Sequence, residues 1–94
     1  MFARVTPYQL KSGEREAALA TLEKMKADIM KLPGLKQFIN VLGEDGSGYV
    51  ISLVESQEIS DSNAEQVRAL WGRMGPHLAA MPTPQGGEVV ADWT

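Results

Sequence analysis

Apolar residues along this chain switch between two spacings, and the switches mark its elements. Phe2, Val5, Thr6 and Tyr8 give the segment Phe2–Leu10 the character of a strand. Pro7 lies inside it and lacks the amide hydrogen a ladder needs, so the strand is expected at a sheet edge or bent at that point. Lys11-Ser12-Gly13 breaks the run. Between Glu14 and Leu32 the residues Ala18, Leu22, Met25, Ile29 and Leu32 recur every three or four positions, flanked by Leu19 and Met30. The opposite side carries Glu16, Glu23, Lys24, Asp28 and Lys31, which predicts an amphipathic helix. Leu32-Pro33-Gly34 ends it, because proline cannot continue a helix and glycine accepts the left-handed cap.

Alternation then returns. Leu35–Leu42 sets Phe38, Asn40 and Leu42 on one face and Gln37, Ile39 and Val41 on the other. Gly43–Gly48 is a turn cluster. Tyr49–Glu55 sets Tyr49, Ile51 and Leu53 against Val50, Ser52 and Val54, which predicts a hairpin. Both faces of this hairpin are largely apolar. Helices on one side of an antiparallel sheet leave the other face to water, so a second covering layer is implied, most simply a partner subunit. Ser56–Asp61 is polar. Ser62-Asn63-Ala64-Glu65 fits a capping box, with Asp61 as the alternative cap. Val67, Leu70, Trp71, Met74, Leu78 and Met81 follow on one helical stripe. Gly75-Pro76 interrupts that stripe, and the continuing period predicts a kink or restart. Pro82–Gly87 reads as a loop and Glu88–Trp93 as a last strand.

The order β-α-β-β-α-β is the split βαβ, or ferredoxin-like, arrangement: an α+β fold with an antiparallel sheet and two helices on one face. A chain of 94 residues suits one domain, 1–94, with a modest core. Hydrophobic residues at 44% and charged residues at 22% are globular proportions, which argue against disorder. A net charge of −3 without a Lys/Arg run argues against nucleic-acid binding. Cysteine is absent, which removes disulfides, thiol catalysis and iron–sulfur clusters. No apolar stretch is long enough to span a membrane, and Met1-Phe2-Ala3-Arg4-Val5 does not open like a secretory signal, so a cytoplasmic protein is expected.

The Met1–Thr6 start, the helix ending in Leu32-Pro33-Gly34-Leu35, the hairpin Phe38–Val41 to Tyr49–Ser56 and the Trp-bearing second helix together resemble the dimeric α/β-barrel superfamily, near its antibiotic-biosynthesis-monooxygenase-like domains. The resemblance covers essentially the whole chain and rests on short motifs. It implies a homodimer with sheets paired face to face, and a site between sheet and helices of each subunit. The activities it implies include cofactor-independent oxygenation of quinol-like or other small aromatic molecules and, in some branches, haem degradation. Monooxygenase-like members often place a tryptophan soon after the third strand and histidines in the second helix. Here Ser56-Gln57 follows Glu55, and Ala64–Gly75 holds no histidine, which leaves Trp71 and His77 for related roles.

Candidate chemistry is therefore confined to a few residues. His77, the only histidine, would serve as proton shuttle or haem ligand if the Gly75-Pro76 break aims it inward, and as a surface helix cap otherwise. Trp71 lies on the apolar stripe, as a core residue or as a ring lining the cleft. Asn40 interrupts an apolar strand and needs partners from a ligand or an interface if buried. These three are the catalytic candidates. Arg4, Phe38, Tyr49 and Arg73 are the candidates for substrate binding, with Arg4 alternatively paired to an acidic residue such as Asp92. No metal site is expected from one histidine, and Gly43–Gly48 joins two strands and so is no phosphate loop. Two functions compete: a cofactor-independent monooxygenase acting on a small apolar or aromatic ligand, and a non-enzymatic dimeric binding or stress-associated module. Haem binding or degradation stands third.

Overall fold

The computed structural model describes all 94 residues, Met1–Thr94. Strand β1 (Phe2–Gln9) leads into helix α1 (Arg15–Met30), then strands β2 (Leu35–Leu42) and β3 (Ser47–Val54). Helices α2 (Gln57–Ser62) and α3 (Ala64–Met74), a 3-10 turn (Gly75–His77) and strand β4 (Gln85–Glu88) complete the chain. The sheet is antiparallel in the order β2-β3-β1-β4, which is the expected α+β ferredoxin-like arrangement. No helix is long and apolar enough to cross a membrane.

Alternation decides which side chains meet the helices. Register places Arg4, Ser52 and Phe38 in one row across β1, β3 and β2, then Thr6, Val50 and Asn40, then Tyr8, Gly48 and Leu42. These rows face α1 and α3. The core beneath the helices comprises Leu10, Ala18, Met25, Ile29, Met74 and Leu78. The stripe read from α1 is the buried one, and its flanking Leu19 and Met30 are exposed. At the end of α1, Gly34 has φ +72°, and a β-carbon there would lie 2.8 Å from Ile59, so both backbone and space require glycine.

The reverse face carries the rows Ala3–Leu53–Gln37, Val5–Ile51–Ile39 and Pro7–Tyr49–Val41. Only 12 of the 94 residues are buried, and Val5, Ile39, Val41 and Tyr49 stand exposed on this uncovered face.

Four expectations are corrected. First, β1 lies inside the sheet and is not an edge strand. Pro7 is tolerated because β4 pairs only with Phe2–Val5, and residues 77–79 bond β1 again only at Gln9 and Lys11. Pro7 shares the parity of Gln9, so its nitrogen faces the gap between them. Second, Ser56–Asp61 is not a polar loop. The Ser56 hydroxyl accepts from the Ile59 amide at 3.2 Å and starts α2. Neither Ser62 nor Asp61 caps α3; Ser62 donates its hydroxyl to the Ile59 carbonyl within α2 instead.

Third, the second long helix stops at Pro76 and does not restart. Pro76 permits one 3-10 turn, after which Leu78 is extended (φ −98°, ψ 141°). Leu78 still reaches the core, by a bridge to Leu10, whereas Met81 is exposed. Fourth, the last strand is Gln85–Glu88 rather than Glu88–Trp93. Antiparallel pairing runs from Val5 back to Phe2, and the Val89 amide donates to the Met1 carbonyl. Residues past Val89 lie beyond the strand they would pair with, and Val90 and Trp93 are 88% and 93% exposed.

Candidate functional site

The helix-facing rows and the apolar sides of α1 and α3 do not close completely on each other. A cleft of about 70 Å³ remains between them. Leu22 and Met25 from α1 and Leu70, Trp71 and Met74 from α3 form its roof. Its floor is the sheet, and there the sequence places Arg4, Thr6, Tyr8, Asn40 and Ser52 among apolar neighbours.

Tyr8 and Asn40 are joined across β3. Gly48 makes this contact geometrically feasible: a β-carbon at Gly48 would overlap the hydroxyl end of the Tyr8 ring. Without one, the ring lies over β3, and its hydroxyl donates to Asn40 Oδ1 at 2.6 Å. Burial pushes the Tyr8 phenol above its ordinary value of 10.0, against smaller opposing effects from Asn40 and from the Arg15 charge. Tyr8 is therefore a neutral donor at neutral pH. The Asn40 oxygen is occupied, whereas its amide hydrogens make no bond within the chain. Trp71 packs on the Tyr8 ring with centroids 5.7 Å apart and planes inclined at 52°. The arrangement can present an amide donor and an aromatic wall to a flat guest bearing an oxygen.

Of the seven candidates from sequence, four line the cleft and three do not. Asn40, Trp71, Arg4 and Phe38 all line the cleft. His77 does not. Its Nδ1 lies 2.8 Å from Glu14 Oε1 and its Nε2 lies 2.8 Å from the Thr21 hydroxyl, both at hydrogen-bond distance. The imidazole ties the 3-10 turn to the start of α1, because the helix ends at Pro76 before it can carry His77 round to the sheet. Tyr49 is also misplaced by the cleft reading: as an odd-numbered neighbour of Val50 it points from the uncovered face, where it is exposed. Arg73 lies outside the cleft, in a shallow groove between α1 and α3, and pairs with Asp28 at 2.7 Å. Arg4 pairs not with Asp92 but with α2: Nη1 donates to Ser60 Oγ at 2.9 Å, and Asp61 lies 3.9 Å away.

Tyr8, Thr6 and Ser52 were not singled out from sequence. Tyr8 shares parity with Phe2 and Arg4, and reading both strands of the sheet for polar residues on the buried parity would have found all three. No group of three or more histidine, aspartate or glutamate side chains is placed to hold a metal ion. The cleft offers haem no axial imidazole either, because the only histidine is held by Glu14 and Thr21 outside it.

No family model matches the sequence, and no curated protein matches it. Solved structures do match. A candidate antibiotic biosynthesis monooxygenase from Bordetella bronchiseptica is 10% identical, with 96% of this chain and 97% of that one covered and a TM-score of 0.79. A protein of unknown function from Nitrosomonas europaea is 14% identical over 99% of this chain and 92% of its own, with a TM-score of 0.81. A Mycobacterium tuberculosis protein is 12% identical over 99% and 98%, with a TM-score of 0.76. At these identities the likeness is one of architecture, and the chain carries, over nearly its full length, the ferredoxin-like fold of antibiotic-biosynthesis-monooxygenase-like structures.

Proposed function

We propose that this protein is a homodimer in which each subunit binds one small aromatic or quinol-like molecule between sheet and helices. The observation that carries the binding reading is the Tyr8–Asn40 pair under Trp71, a preorganised polar group inside an otherwise apolar cleft. Tyr8 fixes the Asn40 amide, the amide hydrogens donate to a ligand oxygen, and Trp71 covers the ring. A benzene-sized guest takes a cavity of about 150 Å³, so a ring enters by displacing side chains of the roof. The unbranched Met25 and Met74 are suited to that.

Pairing of two subunits is supported by the uncovered sheet face, whose central row Val5–Ile51–Ile39 is wholly apolar. A second copy supplies the same patch in a self-complementary contact. The setting we propose is the cytoplasm, in keeping with a cysteine-free chain.

The reaction proposed is a cofactor-independent oxygenation, supported by the names of the structural neighbours. Dioxygen would be the oxidant and the quinol-like ligand itself the source of electrons. A binding module without chemistry is favoured by one specific observation. The only titratable side chains on the cleft are Arg4 and Tyr8, and neither a guanidinium nor a neutral phenol is a base at neutral pH.

Anaerobic titration with 1,4-naphthohydroquinone, followed by Trp71 fluorescence in a Trp93→Phe background, tests the binding reading. Saturable quenching is expected. Asn40→Ala and Tyr8→Phe should each weaken it about fivefold to tenfold, the worth of one hydrogen bond of about 1–1.5 kcal/mol. His77→Ala should leave the affinity unchanged. Absence of saturable quenching would overturn the proposal. Oxygen uptake on admitting air separates the enzyme from the binding module.

A further inference from the structure

Taking the cleft as the small-molecule site proposed above, we infer that its ligand carries a carboxylate and that Arg4 recognises it. Arg4 stands on β1 in the row Arg4–Ser52–Phe38, on the cleft floor. Its guanidinium is only partly used. Nη1 donates to the Ser60 hydroxyl at 2.9 Å and reaches the Ser60 carbonyl at 3.5 Å. Nε is closed off from solvent and has no partner, the single such side-chain atom in the protein. No hydrogen bond within the chain uses Nη2.

Nε and Nη2 form one edge of the planar group, and that edge is the fork that matches the two oxygens of a carboxylate. A buried donor left unpaired is costly, so a native structure that keeps one calls for a missing partner. Charge points the same way. The Arg4 side chain is 22% exposed, yet its only acidic neighbour is Asp61, 3.9 Å away and 65% exposed. A contact of that length to a solvated carboxylate compensates a half-buried cation poorly. Ser60 Oγ, which holds Nη1, belongs to a fully buried residue, so one side of the guanidinium is anchored and the other is unpaired.

Two voids adjoin the Arg4 side chain. Arg4, Ser52, Leu32 and Val67 line both the cleft and a smaller void of about 20 Å³, and a carboxylate would reach the closed Nε edge by displacing the side chains that cover it. Ser52 and Thr6 flank it on the floor, and neither hydroxyl is engaged in a hydrogen bond within the chain. A carboxylate on the Arg4 edge would leave the rest of the ligand running along the sheet toward Asn40 and Trp71. The ligand class is thus a small aromatic acid with a second oxygen at its far end.

Three probes test this: hydroquinone, 2,5-dihydroxybenzoate and 2,5-dihydroxybenzamide, titrated calorimetrically into the wild-type protein and into Arg4→Lys. The acid is expected to bind at least about tenfold more tightly than the amide to wild type. Arg4→Lys, which keeps the charge and removes the planar edge, should abolish that preference, with residual hydroquinone binding as the sign that the cleft is intact. Equal affinity for acid and amide in the wild-type protein would overturn the inference, and that comparison needs no variant to fold. A preference that survives Arg4→Lys would overturn it too. Hydroquinone binding without acid preference leaves the cleft reading standing and removes only the carboxylate. Failure of all three probes to bind removes both.

Discussion

Gly48→Ala is expected to destabilise the protein by about 1–3 kcal/mol and to abolish ligand binding in the cleft. Two effects compete. Alanine in place of a strand glycine ordinarily gains up to about 1 kcal/mol, because less backbone entropy is lost on folding. Here the added β-carbon would occupy the position of the Tyr8 ring. The ring must leave the sheet, which breaks the 2.6 Å bond to Asn40 and the contact with Trp71. The overlap outweighs the propensity gain, so the sign is destabilising. Urea denaturation gives the stability change, and the naphthohydroquinone titration gives the loss of binding. A G48A protein as stable as its parent and equally able to bind would show that Tyr8 does not need its place over β3.

Ile51→Glu is expected to convert the proposed dimer to a folded monomer. Ile51 sits at the centre of the uncovered face, between Val5 and Ile39. Its side chain makes no contribution to the core beneath the helices, so the subunit should keep its circular dichroism spectrum. In a face-to-face pair, two such glutamates would be buried near the symmetry axis without partners. An unpaired buried charge costs several kcal/mol, enough to dissociate an interface of ordinary size at micromolar concentration. Sedimentation equilibrium should give about twice 10.2 kDa for the parent and 10.2 kDa for the variant. A parent that sediments as a monomer would contradict the paired-sheet reading outright.

Most of the fold was legible because it rests on period. The α1 stripe, the two faces of the β2–β3 hairpin and the element order follow from spacing alone, and all stand in the structure. What period could not supply was pairing. The alternation of Val89, Ala91 and Trp93 predicts a last strand there, but β1 offers partners only to Gln85–Glu88. Similarly, the apolar period through Pro76 continues because Leu78 is buried, yet Leu78 is buried from an extended backbone rather than from a helix.

The site divides in the same way. Asn40 was conspicuous as an amide within an apolar strand, and its need for a partner was clear. The partner, Tyr8, lies two strands away over a glycine, a contact set by sheet order rather than by local sequence. His77 was conspicuous for its rarity, and rarity carries no direction. Glu14 and Thr21, 63 and 56 residues away in sequence, hold it against the first half of α1, outside the cleft.

Contacts between ligand and protein protons measure the central claim most directly. With 1,4-naphthohydroquinone bound under anaerobic conditions, nuclear Overhauser effects from its ring protons are expected to Trp71, Tyr8 and Leu22, side chains that meet only in the cleft. Effects confined to Tyr49 and Val41 on the uncovered sheet face, or to the exposed Trp93, would contradict it.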